Sequence, residues 1–225
     1  MNTVTIPVHR DLQAERRIAA AAFRDELTRR GVFCVNLISS PGAGKTTLLQ
    51  ATARAWPEQG RLAVLVGDIA TDRDAERLAP YLPVKQLTTG GACHLELSLV
   101  QKGLAALDLE GVEYLFVENV GNLVCPASHD LGEHLRVVAL SVTEGDDKPG
   151  KYPKAFRTSQ ACVMTKVDLL PYVPFDLARA EADARLIQPA MSFFPVGALT
   201  GTGIADWCQF LQHQRASLIT GVARR

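Results

Sequence analysis

What this sequence has little of sets its first limits. Cysteines number only five, scattered at 34, 93, 125, 162 and 208, an odd set that excludes a disulfide framework and makes a reducing cytoplasm the expected setting. Neither sign of charge prevails, with 24 basic and 24 acidic residues, so there is no electrostatic case for nucleic acid or an anionic membrane as a partner. Long apolar runs are missing: "LAVLV" (62–66) and "VVALSV" (137–142) fall far short of a bilayer span. The start, "MNTVTIPVHRD", has no basic segment leading into an apolar stretch, so a secretory signal is not expected. Internal repeats and low-complexity tracts are also lacking.

What is there suits one globular domain, expected over residues 1–225, with 1–31 as a helical segment packing on it. Nearly continuous apolar runs of strand length occur at 32–38, 62–68, 84–89, 112–119, 135–142, 161–167 and 192–196. Between them lie helical patterns at 10–31, 46–56, 74–82, 93–107, 176–187 and 204–219. In the first of these, Leu12, Ala19, Phe23 and Leu27 form the expected buried stripe. Strands apolar on both faces, alternating with helices, predict an α/β fold with a mostly parallel, doubly wound sheet. The polar stretch at 143–159 reads as a surface excursion.

The first strand runs into "SSPGAGKTT" (39–47), and a helix follows, which is the context of a P-loop. Gly42, Ala43 and Gly44 let backbone N–H groups face a phosphate, and the helix N-terminus adds its dipole. Lys45 would reach the β- and γ-phosphates, the Thr46 hydroxyl would ligate Mg²⁺, and Thr47 completes the loop. Ser39 stands where the usual pattern begins with glycine. Asp68 and Glu118 end two buried strands at the edge where such folds bind ligands, with Asp72 and Asp74 close behind the first. Thr46, Asp68, Asp74 and Glu118 are therefore the magnesium candidates, and Gly121 is the candidate γ-phosphate-sensing switch.

"VMTKVDLL" (163–170) fits a base reader: the Asp168 carboxylate can accept both N1–H and N2–H of guanine, a donor pair adenine lacks. Lys166 would pack its stem over the base, and Thr165 stands where asparagine is commoner. In "PVGALTGTG" (195–203), Ala198 and Leu199 belong to a loop whose backbone would contact guanine O6, with Gly197 where serine is more usual. The set favours GTP over ATP.

"GGACHLE" (90–96) sets Cys93 and His94 at what reads as the first turn of a helix, where a thiol pKa is lowered. Cys125 follows the switch glycine in "GNLVCPASHD" (121–130). Two thiolates and an imidazole suit Ni²⁺ or Zn²⁺ equally, whereas buried free cysteine is common as plain packing. Packing is the expectation for Cys34, Cys162 and Cys208, and solvated loop positions for His129 and His134.

The segments "NLISSPGAGKTTLL", "GGACHLE", "ENVGNLVCPASHDLGE", "VTEGDDKPGKYPKAF" and "TKVDLL" resemble the hydrogenase nickel-incorporation GTPases, the HypB family, over about residues 10–218. The resemblance implies a P-loop G domain of the SIMIBI type, GTP hydrolysis with Mg²⁺, and nucleotide-dependent homodimerisation. It implies Ni²⁺ or Zn²⁺ near the dimer interface on Cys93, His94 and Cys125. It also implies a small nickel-binding HypA-type partner and the [NiFe]-hydrogenase large-subunit precursor as recipient. Many relatives carry an N-terminal cysteine-rich nickel motif or a histidine-rich stretch; neither is present, so nickel storage is not expected. Other readings are a GTPase serving another nickel enzyme such as urease, a P-loop small-molecule kinase, and a nucleotide-gated module without relevant hydrolysis. With no evident general base and no glutamine to position water, slow intrinsic turnover is expected.

Overall fold

The computed structural model describes residues 8–57, 61–69 and 72–222. The first seven residues of the expected N-terminal segment lie outside that set. The elements run α1 (Val8–Arg29), β1 (Phe33–Ser39), α2 (Lys45–Ala55), β2 (Leu62–Asp68), α3 (Arg73–Leu78), β3 (Val84–Thr88), α4 (Leu97–Ala105) and β4 (Tyr114–Gly121). They continue as β5 (Leu135–Ser141), α5 (Lys148–Lys151), α6 (Pro153–Arg157), β6 (Ala161–Thr165), α7 (Leu177–Ile187), β7 (Ser192–Val196) and α8 (Ile204–Val222). The seven strands form one parallel sheet in the order β3-β2-β4-β1-β5-β6-β7.

Because side chains alternate across a strand, each strand feeds both faces of the sheet. Val35 and Leu37 of β1, with Phe116 of β4 and Val64 of β2, face Leu48 of α2, Leu78 of α3 and Trp207 of α8. Cys34, Leu65, Leu115 and Val117 face the other way, against Phe23 and Leu27 of α1 and Val100 and Leu104 of α4. Farther along that second face, Val138, Leu140 and Met164 meet Ala155 and Phe156 of α6 and Ala180 of α7. Covering both faces explains why every residue of β1, β5 and β6 is buried.

Four expectations need correction. The buried stripe of α1 is Ala20, Phe23 and Leu27; Leu12 and Ala19 are exposed, because the helix leaves the sheet face towards its N-terminal end. The 143–159 stretch is more than a surface excursion: it folds into α5 and α6, and α6 buries Ala155 and Phe156 completely. β6 stops at Thr165 because Lys166 takes a left-handed conformation, φ 60°, unique among the described non-glycine residues. Helix α4 begins at Leu97, not at residue 93, with Glu96 in an extended conformation before it. Cys34, Cys162 and Cys208 are packed in the core as expected.

Among the described residues, no helix is long and apolar enough to cross a membrane.

Candidate nucleotide and metal site

β1 is the point where the chain order reverses, since β4 lies on one side of it and β5 on the other. In open parallel sheets the crevice beyond the strand ends at such a point is where ligands bind. The loop leaving β1 there turns through Gly42 (φ 73°) and Gly44 (φ 88°), a left-handed conformation that side chains rarely adopt. Gly44 caps α2, so the first N–H groups of that helix open into the crevice. Lys45 is buried and donates from Nζ to Ser39 Oγ at 2.9 Å. Ser39, the departure from the usual motif, is thus the polar group that holds the amine. Burial pushes the Lys45 pKa down, and Glu118, Asp74, Glu144 and Asp68 oppose that shift.

Thr46 Oγ1 donates to Glu118 Oε1 at 2.8 Å, which ties the helix start to β4; Glu118 lies within that strand, which runs on to Gly121 and does not end at the acid as expected. Glu118 is 3% exposed, and its Oε2 is buried without a hydrogen-bond partner. Burial pushes this carboxyl up to about 7. A buried carboxylate with a free oxygen beside a threonine hydroxyl fits a Mg²⁺ environment, since a cation would relieve the cost of its charge. Asp68 ends β2, and Asp74 sits in the first turn of α3, where it pairs with Arg77 at 3.3 Å. Arg77 also donates to Thr47 Oγ1 at 3.2 Å. Gly121 lies against the loop so closely that an added Cβ would stand 2.8 Å from Pro41 Cα.

Thr165 Oγ1 donates to Ala43 O at 2.6 Å, and Lys166 Nζ donates to Gly42 O at 2.8 Å. The strand end carrying the base candidate is therefore bonded directly to the phosphate loop, through the threonine that replaces asparagine. Asp168 lies beside Gly197, where an added Cβ would come within 3.2 Å of Asp168 Oδ1. Ala198 packs against the core, and Leu199 is largely exposed at the tip of that loop.

The candidate metal ligands converge although their loops are far apart in sequence. One ligand atom each from Cys93, His94 and Cys125 fall within 4.8 Å of one another. Cys93 Sγ donates to Cys125 Sγ at 2.7 Å and lies 3.7 Å from His94 Nδ1. Both cysteines are free. His94 Nε2 is buried with no partner among the described residues, an orphaned acceptor of the kind a metal satisfies. The contact with Cys93 raises the Cys125 pKa, while burial foremost lowers that of His94. The helix-start argument for Cys93 falls away, because the pair sits in a bend three residues before α4.

Two histidines differ from expectation. The His129 ring stacks on His94, centroids 3.8 Å apart, and its Nδ1 donates to Cys125 O at 2.9 Å. His134 is structural: its Nδ1 accepts from Cys34 N–H at 2.9 Å, so its Nε2 donates to Thr28 Oγ1 at 2.8 Å. The sequence reading also missed Ser39, Pro41 and Asn119; only a three-dimensional neighbourhood picks them out.

Residues 33–195 match the model of the CobW/HypB/UreG nucleotide-binding domain. The chain is 43% identical over 212 residues to the hydrogenase maturation factor HypB of Azotobacter vinelandii, covering 93% of this chain and 70% of that protein. It belongs to the HypB family. The hydrogenase/urease maturation factor HypB of Helicobacter hepaticus is 38% identical, with 96% of this chain and 90% of that protein covered. Among solved structures, HypB from Helicobacter pylori in complex with nickel superposes with a TM-score of 0.85 at 34% identity, covering 90% of this chain and 96% of that one. HypB from Archaeoglobus fulgidus gives 0.82, also at 34% identity, covering 90% and 99%. The signal recognition particle 54 kDa protein of Aeropyrum pernix, in complex with GDP, gives 0.52 at 13% identity, covering 83% of this chain and 50% of that one, and shares the fold alone. The fold is that of a P-loop NTPase, and HypB membership places the chain in a GTPase family.

Proposed function

We propose that this chain is a GTP-hydrolysing nickel carrier that serves maturation of a nickel enzyme, [NiFe]-hydrogenase in the first place. The observation that carries the reading is the Cys93/His94/Cys125 cluster, whose third ligand lies four residues beyond Gly121, the glycine packed on the phosphate loop. The names of its relatives, hydrogenase maturation factors and one structure holding nickel, support the cargo.

Phosphate binding falls to the N–H groups of 42–47 and to Lys45, whose amine would leave Ser39 for the β- and γ-phosphates. Mg²⁺ bound with GTP would neutralise charge on the phosphates. Thr46 is its direct candidate ligand, with Asp68, Asp74 and Glu118 as the carboxylates around it. Asp168 accepts from guanine N1 and N2, Lys166 covers the base, and the backbone at Ala198 and Leu199 faces O6. Water attacks the γ-phosphorus, the bond to the β–γ bridging oxygen breaks, and GDP and phosphate leave. Among the described residues around the site, which supply positioning and charge, none stands out as a general base, so slow intrinsic turnover is expected.

A GTP-bound chain would hold the 121–125 segment in one arrangement and a GDP-bound chain in another. Nickel affinity and pairing of two copies would follow that difference. A HypA-type protein would deliver or receive the metal, and the hydrogenase large-subunit precursor would be its destination. The Helicobacter hepaticus relative, named for hydrogenase and urease together, favours urease as the second recipient class.

The test is Ni²⁺ titration followed by thiolate-to-metal charge-transfer absorbance, beside phosphate release from GTP alone. Absorbance lost in both Cys93→Ala and Cys125→Ala, with slow phosphate release, is the expected result. Hydrolysis without any thiolate band would reduce the chain to a plain GTPase. Phosphate appearing only when a small-molecule acceptor is added would make it a kinase.

A further inference from the structure

The metal cluster hangs from the sheet at two places, and only one follows the chain from Gly121 to Cys125. Strand alternation decides what lies at the other. Asp68 and Glu118 point to the face of α2 and the phosphate loop, so their neighbours Gly67 and Asn119 point to the opposite face. Both neighbours touch one residue there, Leu95, which directly follows His94. Leu95 N–H donates to Asn119 Oδ1 at 3.2 Å. The Leu95 side chain is fully buried and fills the space over Gly67, where an added Cβ would stand 2.7 Å from its Cγ and Cδ1.

Asn119 is itself held firmly. Its Oδ1 also accepts from Val120 N–H at 3.0 Å, and its Nδ2 donates to Asn36 Oδ1 at 3.2 Å. Asn36 Nδ2 donates to Glu133 Oε1 at 3.2 Å, which also accepts from Arg136 Nε at 2.6 Å. Arg136 Nη2 then donates to His129 O at 2.7 Å, beneath the ring stacked on His94. All four polar side chains are buried, where a satisfied network is rigid and a broken one is costly. The network joins the end of β4 to both sides of the Cys93–His94 pair.

We infer that Asn119 and the Gly67–Leu95 contact are positioning elements that transmit the nucleotide state of Glu118 and Asp68, through the sheet, to Cys93 and His94. The inference rests on the nucleotide-to-metal coupling proposed above and names its second route. A shift of either strand end as its acid engages or releases the magnesium nucleotide moves the Leu95 anchor. His94 is bonded to that anchor.

The test uses the full chain and Ni²⁺ alone as the probe. Nickel affinity is measured from charge-transfer absorbance with GDP and with a non-hydrolysable GTP analogue, in the wild type, Asn119→Ser and Gly67→Ala. The wild-type ratio of the two affinities is expected to lie within the usual span of site-to-site coupling, about 5–150-fold. In each variant the ratio should fall at least about threefold towards one, the Gly121–Cys125 route remaining, with nucleotide affinity held within about threefold. A purely structural role would weaken nickel equally in both states and leave the ratio intact, and that result overturns the inference. Leu95→Met, a volume-conserving change of the kind cores tolerate, reads the same contact should either variant fail to fold. A wild-type ratio of one would overturn the coupling itself and this inference with it. A coupled wild type with variants coupled as strongly would overturn this inference alone.

Discussion

Asp168 is the proposed base reader, and its surroundings suit the task. It follows the strained Lys166, whose amine is tied to Gly42 O, so base reader and phosphate loop are bonded to each other. Replacing Asp168 with asparagine breaks the charged acceptor pair for guanine N1–H and N2–H, keeping one oxygen and setting a donor where the other stood. Two hydrogen bonds to a charged group are worth about 3–6 kcal/mol together, so GTP affinity should fall at least about 100-fold. Xanthosine triphosphate, which offers an acceptor at position 2, should gain in the same variant. Competition titrations with the two nucleotides check this; an unchanged preference would remove Asp168 from the base site. The aspartate can be singled out in the sequence because its proposed chemistry is local to one motif. Ser39 as holder of the Lys45 amine cannot, because it depends on a serine six residues away meeting the lysine across the loop.

At the scale of elements, the fastening of α1 to the sheet depends on His134, the residue just before β5. Its ring bonds Cys34 N and Thr28 Oγ1 and stacks on Phe33, centroids 5.4 Å apart. Burial pushes its pKa down to about 4, with Arg24 adding to the shift and Asp25 opposing it. A depressed folded-state value means the unfolded chain binds more protons between about 4 and 6.5. The stability it contributes is therefore complete above about 6.5 and lost as pH falls through about 4. His134→Ala should lower Tm at pH 7, because Cys34 N–H is left unsatisfied, and should flatten the melting curve's acid slope over that window. Melts from pH 4 to 8 for both proteins decide it; equal slopes would contradict the assignment. The strands were legible because burial on both faces leaves a continuous apolar signal: β2 and β7 fall on the expected residues. The start of α4 was not. Residues 93–96 satisfy helical spacing, but Leu95 is drawn into the core by Gly67 and Asn119, so tertiary contacts override the local pattern. The α5–α6 excursion was misread for a similar reason, since its two apolar anchors sit among charged neighbours.

The whole molecule is a parallel sheet with a nucleotide crevice at its order reversal and a metal cluster on the loops beyond the same strand ends. Glu118 and Gly121 close β4 on the nucleotide side, and that strand continues directly into the Cys125 loop. Cys93 and His94 come from the loop between β3 and α4, so the cluster joins two loops that leave neighbouring parts of one edge. Such an arrangement would suit the proposed carrier, whose grip on its cargo depends on the nucleotide. The measurement that tests this most directly is the Ni²⁺ dissociation constant of the unaltered chain with GDP and with a non-hydrolysable GTP analogue, with molecular mass recorded in each state. The account predicts two constants that differ by about fivefold or more, with the mass moving from one copy towards two in the GTP-like state. Identical constants would contradict it, leaving a GTPase and a metal site that share a sheet without sharing a switch.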